Sequence, residues 1–208
     1  MELINQINEL RKSEISKIVE TRLSEFSGFK NKSDEDWFSE LCFCLLTANS
    51  RARTAINIQN ELKGAGFLNL EEERIAFAIK RNHHRFHNHK AKYICEARKF
   101  QYIKNILSKL KSESEKRNFI VENVKGLGMK EASHFLRNTG SNNLAILDRH
   151  ILNLMLENKL ISEVPKPITK NKYLEIEKEF FKLASQLNMS PAELDLYMWY
   201  MKTGEVMK

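Results

Sequence analysis

The sequence predicts an all-α protein. Three observations carry that expectation: only 7 Gly and 3 Pro interrupt 208 residues, apolar residues recur at three- and four-residue spacing through long stretches, and no segment alternates like a strand. The first helical pattern covers residues 3–26. Ser33-Asp-Glu-Asp36 then reads as a helix start with an acidic first turn, after which Trp37, Leu41, Cys44, Leu45 and Ala48 mark one apolar face. Further helices are expected near 52–62, 71–80, 90–110, 113–123, 130–138, 149–159 and 172–187. Polar joints fall near 27–32, 64–70, 82–89, 140–143 and 162–169. Ser190-Pro-Ala-Glu193 is the fullest start signal, with a capping serine, proline at the first helical position and a glutamate reaching back. That last helix is expected to bury Leu194, Met198 and Met201 and to stop before Gly204.

At 42% hydrophobic, the chain has enough apolar residues for one or two small cores, and so for one compact unit that can be bilobed. Lysine and arginine exceed aspartate and glutamate by 34 − 27 = +7, which suits a polyanionic partner and equally suits many ordinary proteins. No apolar run approaches the roughly 20 residues of a membrane span. The start, Met1-Glu-Leu-Ile-Asn-Gln, lacks the basic-then-apolar pattern of a signal peptide, so a cytosolic protein with no membrane partner is expected. Cys42, Cys44 and Cys95 are odd in number, and two of them lie in the apolar run Leu41-Cys-Phe-Cys-Leu-Leu46, so buried thiols are expected.

The densest chemistry lies in Val124-Lys-Gly-Leu-Gly-Met-Lys130-Glu-Ala-Ser-His-Phe-Leu-Arg137, followed by Leu144-Ala-Ile-Leu-Asp148-Arg-His150. Gly126 and Gly128, one residue apart between two helical patterns, let the backbone take positive φ and approach a phosphate, with the next helix N-terminus adding partial positive charge. An ordinary turn between two helices accounts for the same glycines. Lys130 falls on the first turn of that helix, where the dipole opposes a cation. Plain surface or a solvated phosphate contact is its bland explanation. Asp148 is placed to cap the helix that begins at Arg149.

This order of hairpin, lysine and aspartate resembles the helix-hairpin-helix DNA glycosylases. Lys130-Glu-Ala-Ser-His-Phe-Leu-Arg-Asn138 most resembles their archaeal-type 8-oxoguanine DNA glycosylase/AP lyase branch, whose members also end in a lysine, as this chain does at Lys208. The resemblance implies two helical lobes with a cleft between them. One lobe would span 33–138 and carry the helix-hairpin-helix at about 113–138, at the cleft; the other would combine 1–32 with 139–208. It implies that Lys130 attacks the sugar C1′, expels the base and holds the sugar as a Schiff base, from which the 3′ phosphate is eliminated. Asp148 would orient or deprotonate the lysine and stabilise the oxocarbenium-like sugar while still capping its helix. Some members carry a four-cysteine iron–sulfur cluster near the C-terminus; no cysteine follows Cys95 here, so no cofactor is expected.

The implied partner is double-stranded DNA containing 8-oxoguanine, bound by a monomer working with the nucleoid in a prokaryotic cytoplasm. Gly126, Gly128 and Met129 would contact its backbone. Leu45-Leu-Thr-Ala-Asn49-Ser resembles the segment whose amide fills the gap behind a flipped base, although Asn49 is also explained as a helix-terminal polar residue. Phe86, beside Arg85 in a polar joint, suits stacking on a base, with burial in the core as the rival reading. Trp199, Asp195, Lys208 and Ser133 are the base-pocket candidates: Trp199 offers a stacking face and the terminal carboxylate of Lys208 an acceptor for a purine N–H. A core anchor and a frayed terminus are the alternatives for those two. His83 and His87 form an i, i+4 pair, but no nearby cysteine or carboxylate completes a tetrahedral set, so no metal is expected. Two other functions stay open: the same chemistry on another oxidised base, and a non-catalytic hairpin module that only binds DNA.

Overall fold

The structure, a computed structural model, describes residues 2–208. Among the described residues every regular element is helical: α1 (Glu2–Arg11), α2 (Ile15–Gly28), α3 (Asp34–Thr47), α4 (Ala52–Asn69), α5 (Glu72–Arg81), α6 (His87–Ala97), α7 (Ile103–Ser108), α8 (Glu113–Asn123), α9 (Met129–Asn138), α10 (Arg149–Glu157), α11 (Lys170–Gln186) and α12 (Pro191–Thr203). The helices gather into two compact units, Asn31–Thr139 and a second built from 1–30 with Gly140–Lys208.

In the Asn31–Thr139 unit, α3 is the axis and packs against α4, α6, α7 and α9. Ser33 starts it with the full capping box: its hydroxyl accepts from Asp36 N at 3.1 Å, and the Asp36 carboxylate accepts from Ser33 N at 3.1 Å. Every residue from Trp37 to Thr47 is buried, not the single face that the spacing suggests, because helices surround α3 on several sides. Its buried Glu40 accepts from Asn138 Nδ2 at 2.6 Å and Gln59 Nε2 at 3.2 Å, tying α3 to the end of α9 and to α4. Such an interior carboxylate is tolerated because amides satisfy its oxygens.

Helix α4 continues through the expected joint at 64–70. It kinks at Lys63 (φ 52°, ψ −174°), where the backbone of Gly64 presses so closely on α3 that an added Cβ would lie 2.2 Å from Glu35 Cγ. Arg98 then caps the helix by donating to the carbonyls of Phe67, at 2.9 Å, and Leu70. That use of Arg98 coincides with the break between α6 and α7, where the sequence pattern predicts one continuous helix over 90–110. The expected helix over 3–26 is likewise broken, since the Ser13 hydroxyl bonds Leu10 O at 2.7 Å and accepts from Ile15 N at 3.2 Å, competing with the helical ladder. Cys42 and Cys44 are buried, whereas Cys95 is only half-buried.

In the other unit α12 is central, packing on α1, α2, α10 and α11. Ser190 caps it as expected by accepting from Glu193 N at 3.1 Å, and Gly204 ends it in the left-handed region at φ 72°. Leu194 and Met198 are buried and Met201 half-buried. Among the described residues no helix is long and apolar enough to cross a membrane.

Candidate active site

Helix α8 ends at Asn123, Val124 to Gly128 make the turn, and α9 begins at Met129. Gly126 has φ 94°, a conformation that glycine alone adopts cheaply, and a Cβ there would lie 2.5 Å from Tyr93 Cδ2 and 3.2 Å from Leu45 Cδ2. The hairpin is therefore seated on α6 and on the end of α3. Lys125 reinforces the seat, its ammonium lying 5.4 Å from the Tyr93 ring centroid and 3.4 Å from Glu96. Gly126→Ala should cost about 2–4 kcal/mol from backbone strain plus overpacking. Urea unfolding measures this; an unchanged midpoint would mean that Tyr93 yields freely.

Lys130 is the second residue of α9. Its side chain is 25% exposed and its amine lies 3.9 Å from Glu131, whose other carboxylate oxygen accepts from Gly128 N at 3.3 Å to close the N-terminus of the helix. The far end of α9 is fixed by Asn138 on Glu40 and its middle by Arg117, which donates to the fully buried Ser133 hydroxyl at 3.2 Å. Ser133, expected in a base pocket, thus joins α8 to α9 inside the unit.

Sequence reasoning missed Lys90. It lies one turn before Tyr93 on α6, is 6% exposed, and its amine makes no hydrogen bond among the described residues. Burial pushes its pKa down, the Glu131 carboxylate opposes that shift, and the Lys130 ammonium adds to it. A lysine in register with the buried Ala91, Ile94 and Ala97 of α6 was the signal available.

Asn49 and Phe86 also belong to this unit. Asn49 is exposed and left-handed (φ 60°) just after α3. Phe86 is 42% exposed, which removes core burial as its explanation, and the Arg85 guanidinium sits 5.4 Å from its ring centroid. Among the described residues no group of three His, Cys, Asp or Glu side chains is arranged to hold a metal.

In the other unit, Asp148 caps α10 by accepting from Ile151 N at 2.8 Å through Oδ1, while Oδ2 makes no hydrogen bond among the described residues. The non-helical run Leu144–Leu147 delivers it. That backbone is held by α11: Glu177 accepts from Ala145 N at 3.0 Å, and the Tyr173 hydroxyl accepts from Leu147 N at 3.2 Å while donating to Ala145 O at 2.7 Å. A buried non-helical backbone needs such partners. Two residues after Asp148, the His150 ring meets Trp199 edge to face with centroids 5.2 Å apart. The indole Nε1 is buried with no hydrogen-bond partner among the described residues. Asp195 is buried and Lys208 half-buried.

A sequence model of the family described as 8-oxoguanine DNA glycosylase matches residues 19–189. The chain belongs to the 8-oxoguanine DNA glycosylase family. The 8-oxoguanine DNA glycosylase/AP lyase of Methanocaldococcus jannaschii is 50% identical over 208 residues, covering 100% of both chains. A crystal structure of the M. jannaschii 8-oxoguanine glycosylase/lyase in complex with a 15mer DNA containing 8-oxoguanine superposes with TM-score 0.98 at 48% identity, covering 100% of each chain. The 8-oxoguanine DNA glycosylase of Thermotoga maritima superposes with TM-score 0.94 at 41% identity, covering 100% of this chain and 99% of that one. In this member of the family the glycine hairpin and Lys130 are held by the packing of α9 on α3, and the Asp148 cap by the bonds from α11.

Proposed function

We propose that the chain excises 8-oxoguanine from duplex DNA and then nicks the abasic strand, with Lys130 as nucleophile. What supports this reading most is full-length similarity to enzymes of that name, carried by a chain that puts an amine on the first turn after a glycine hairpin. In the proposed reaction the free amine of Lys130 attacks C1′ and the C1′–N9 bond breaks, with its electron pair leaving on the base. The amine then loses a proton and the C1′–O4′ bond opens, with O4′ taking a proton, which leaves a ring-opened iminium; this acidifies the C2′ proton, whose loss drives elimination of the 3′ phosphate. Asp148 is assigned two tasks: Oδ1 keeps the helix capped, and its negative charge stabilises positive charge developing on the sugar. Gly126, Gly128 and Met129 hold the backbone, Asn49 enters the gap left by the flipped base, and Phe86 with Arg85 stacks beside it. Trp199, with Asp195 and Lys208, is assigned to the base. The setting is a prokaryotic cytoplasm with the nucleoid, the protein acting as a monomer.

Incubation with an 8-oxoguanine duplex and borohydride tests the reading: reduction of the imine should leave a covalent protein–DNA band. Binding without base release would instead make the chain a DNA-binding module, and trapping only on an oxidised pyrimidine would change the substrate. Affinity should fall steeply with salt, with a log–log slope of roughly −0.9 per neutralised phosphate, and excision should persist in EDTA. A salt-independent affinity, or activity lost to EDTA and restored by zinc, would contradict the assignment.

A further inference from the structure

The histidines of 82–89 are not used in the chemistry above, yet one of them is built into the fold with unusual care. Helix α5 ends in a Schellman turn, with His84 N donating to Ile79 O at 3.3 Å, His83 N to Lys80 O at 2.9 Å, and His83 left-handed at φ 61°. That turn carries the chain inward, and His84 is left 3% exposed between two elements. Its Nδ1 accepts from Phe86 N at 3.2 Å, so the proton must sit on Nε2, which then donates to Leu46 O at 2.9 Å. Leu46 lies in the last turn of α3, whose carbonyls have no helical partner, and Asn49 follows three residues later. One neutral ring therefore bonds directly to the backbone of both segments that carry Asn49 and Phe86. Its ring also meets that of Phe86 edge to face at 6.4 Å.

We propose that His84 is a positioning residue for base extrusion: fixed as a single neutral tautomer, it locks the Asn49 turn to the Phe86 joint so that both enter the distorted duplex at one set spacing. This rests on the DNA-contacting roles assigned to Asn49 and Phe86 above. Two side chains pushed into a duplex separately would each lose freedom on binding, whereas a pre-set pair loses it on folding. Protonation would place a second N–H against that of Phe86 and open the lock. The surroundings resist it: burial lowers the pKa of His84, and the neighbouring Lys90, His87 and Arg85 lower it further, against the Leu46 carbonyl that raises it. Because the folded value lies below the ordinary 6.5, the lock's contribution is present above about pH 6.5 and is lost as pH falls through the lowered folded value.

The test compares wild type with His84→Leu, which removes both bonds, and His84→Gln, which keeps a donor for Leu46, each checked for helical content by circular dichroism. For an 8-oxoguanine duplex, KM should rise at least tenfold in His84→Leu and less in His84→Gln, with kcat within about twofold. Wild-type KM should worsen below the ordinary histidine range, and that acid limb should vanish in His84→Leu. Phe86→Ala and Asn49→Ala, run in parallel, should each raise KM, and adding His84→Leu to Phe86→Ala should then raise it by less than the product of the single effects. If Phe86→Ala and Asn49→Ala leave KM unchanged, the DNA-contacting assignment fails. If they raise it while a folded His84→Leu matches wild type and keeps the acid limb, the positioning role of His84 fails alone.

Discussion

Lys130→Gln should abolish both base excision and strand nicking, a loss of at least about 10⁴-fold, while duplex affinity stays within severalfold of wild type. The reason is that one amine serves both steps, whereas binding is shared among hairpin amides and many basic side chains. Folding should change little: the Lys130 amine stands 3.9 Å from Glu131, at the edge of ion-pair range, and glutamine keeps a polar side chain of similar reach. Single-turnover assays with borohydride trapping measure the loss. A trapped adduct in the variant would transfer the role to another amine, and the buried Lys90 is the first to test.

Asp148→Asn should lower excision by about 10²–10³-fold with a stability change under about 0.5 kcal/mol, since asparagine caps a helix nearly as well as aspartate. The geometry makes the separation clean. Oδ1 alone takes the cap, accepting from Ile151 N at 2.8 Å, and an amide oxygen can take its place, but the charge cannot be replaced. Asp148→Ala removes the cap as well and should cost about 1 kcal/mol more. Excision rates beside urea midpoints for the two variants distinguish the roles. An Asp148→Asn protein that unfolds readily yet works normally per folded molecule would make the residue structural only.

The helical class, several helix starts and the order of the chemistry are legible in the residue order. Ser33, Asp148 and Ser190 are legible as caps because a cap is a local event, a side chain bonding a backbone N–H two or three residues on. The left-handed Gly126 is legible for the same reason. Helix breaks at Ser13 and at Arg98 are not, since Ser13 is unexceptional in a polar segment and Arg98 spends its guanidinium on carbonyls of Phe67 and Leu70 some thirty residues away. Packing between distant segments is what buries Lys90 near the charge of Lys130, sets Glu177 and Tyr173 to hold the backbone leading to Asp148, and lets His84 join the Asn49 and Phe86 segments. Glu177, Tyr173 and His84 are polar groups matched to backbone partners distant in sequence, and Lys90 is a charge enclosed by the packing of α6. Periodicity reports which face of a helix avoids water, but not which buried polar group will meet which, and that depends on how the helices pack.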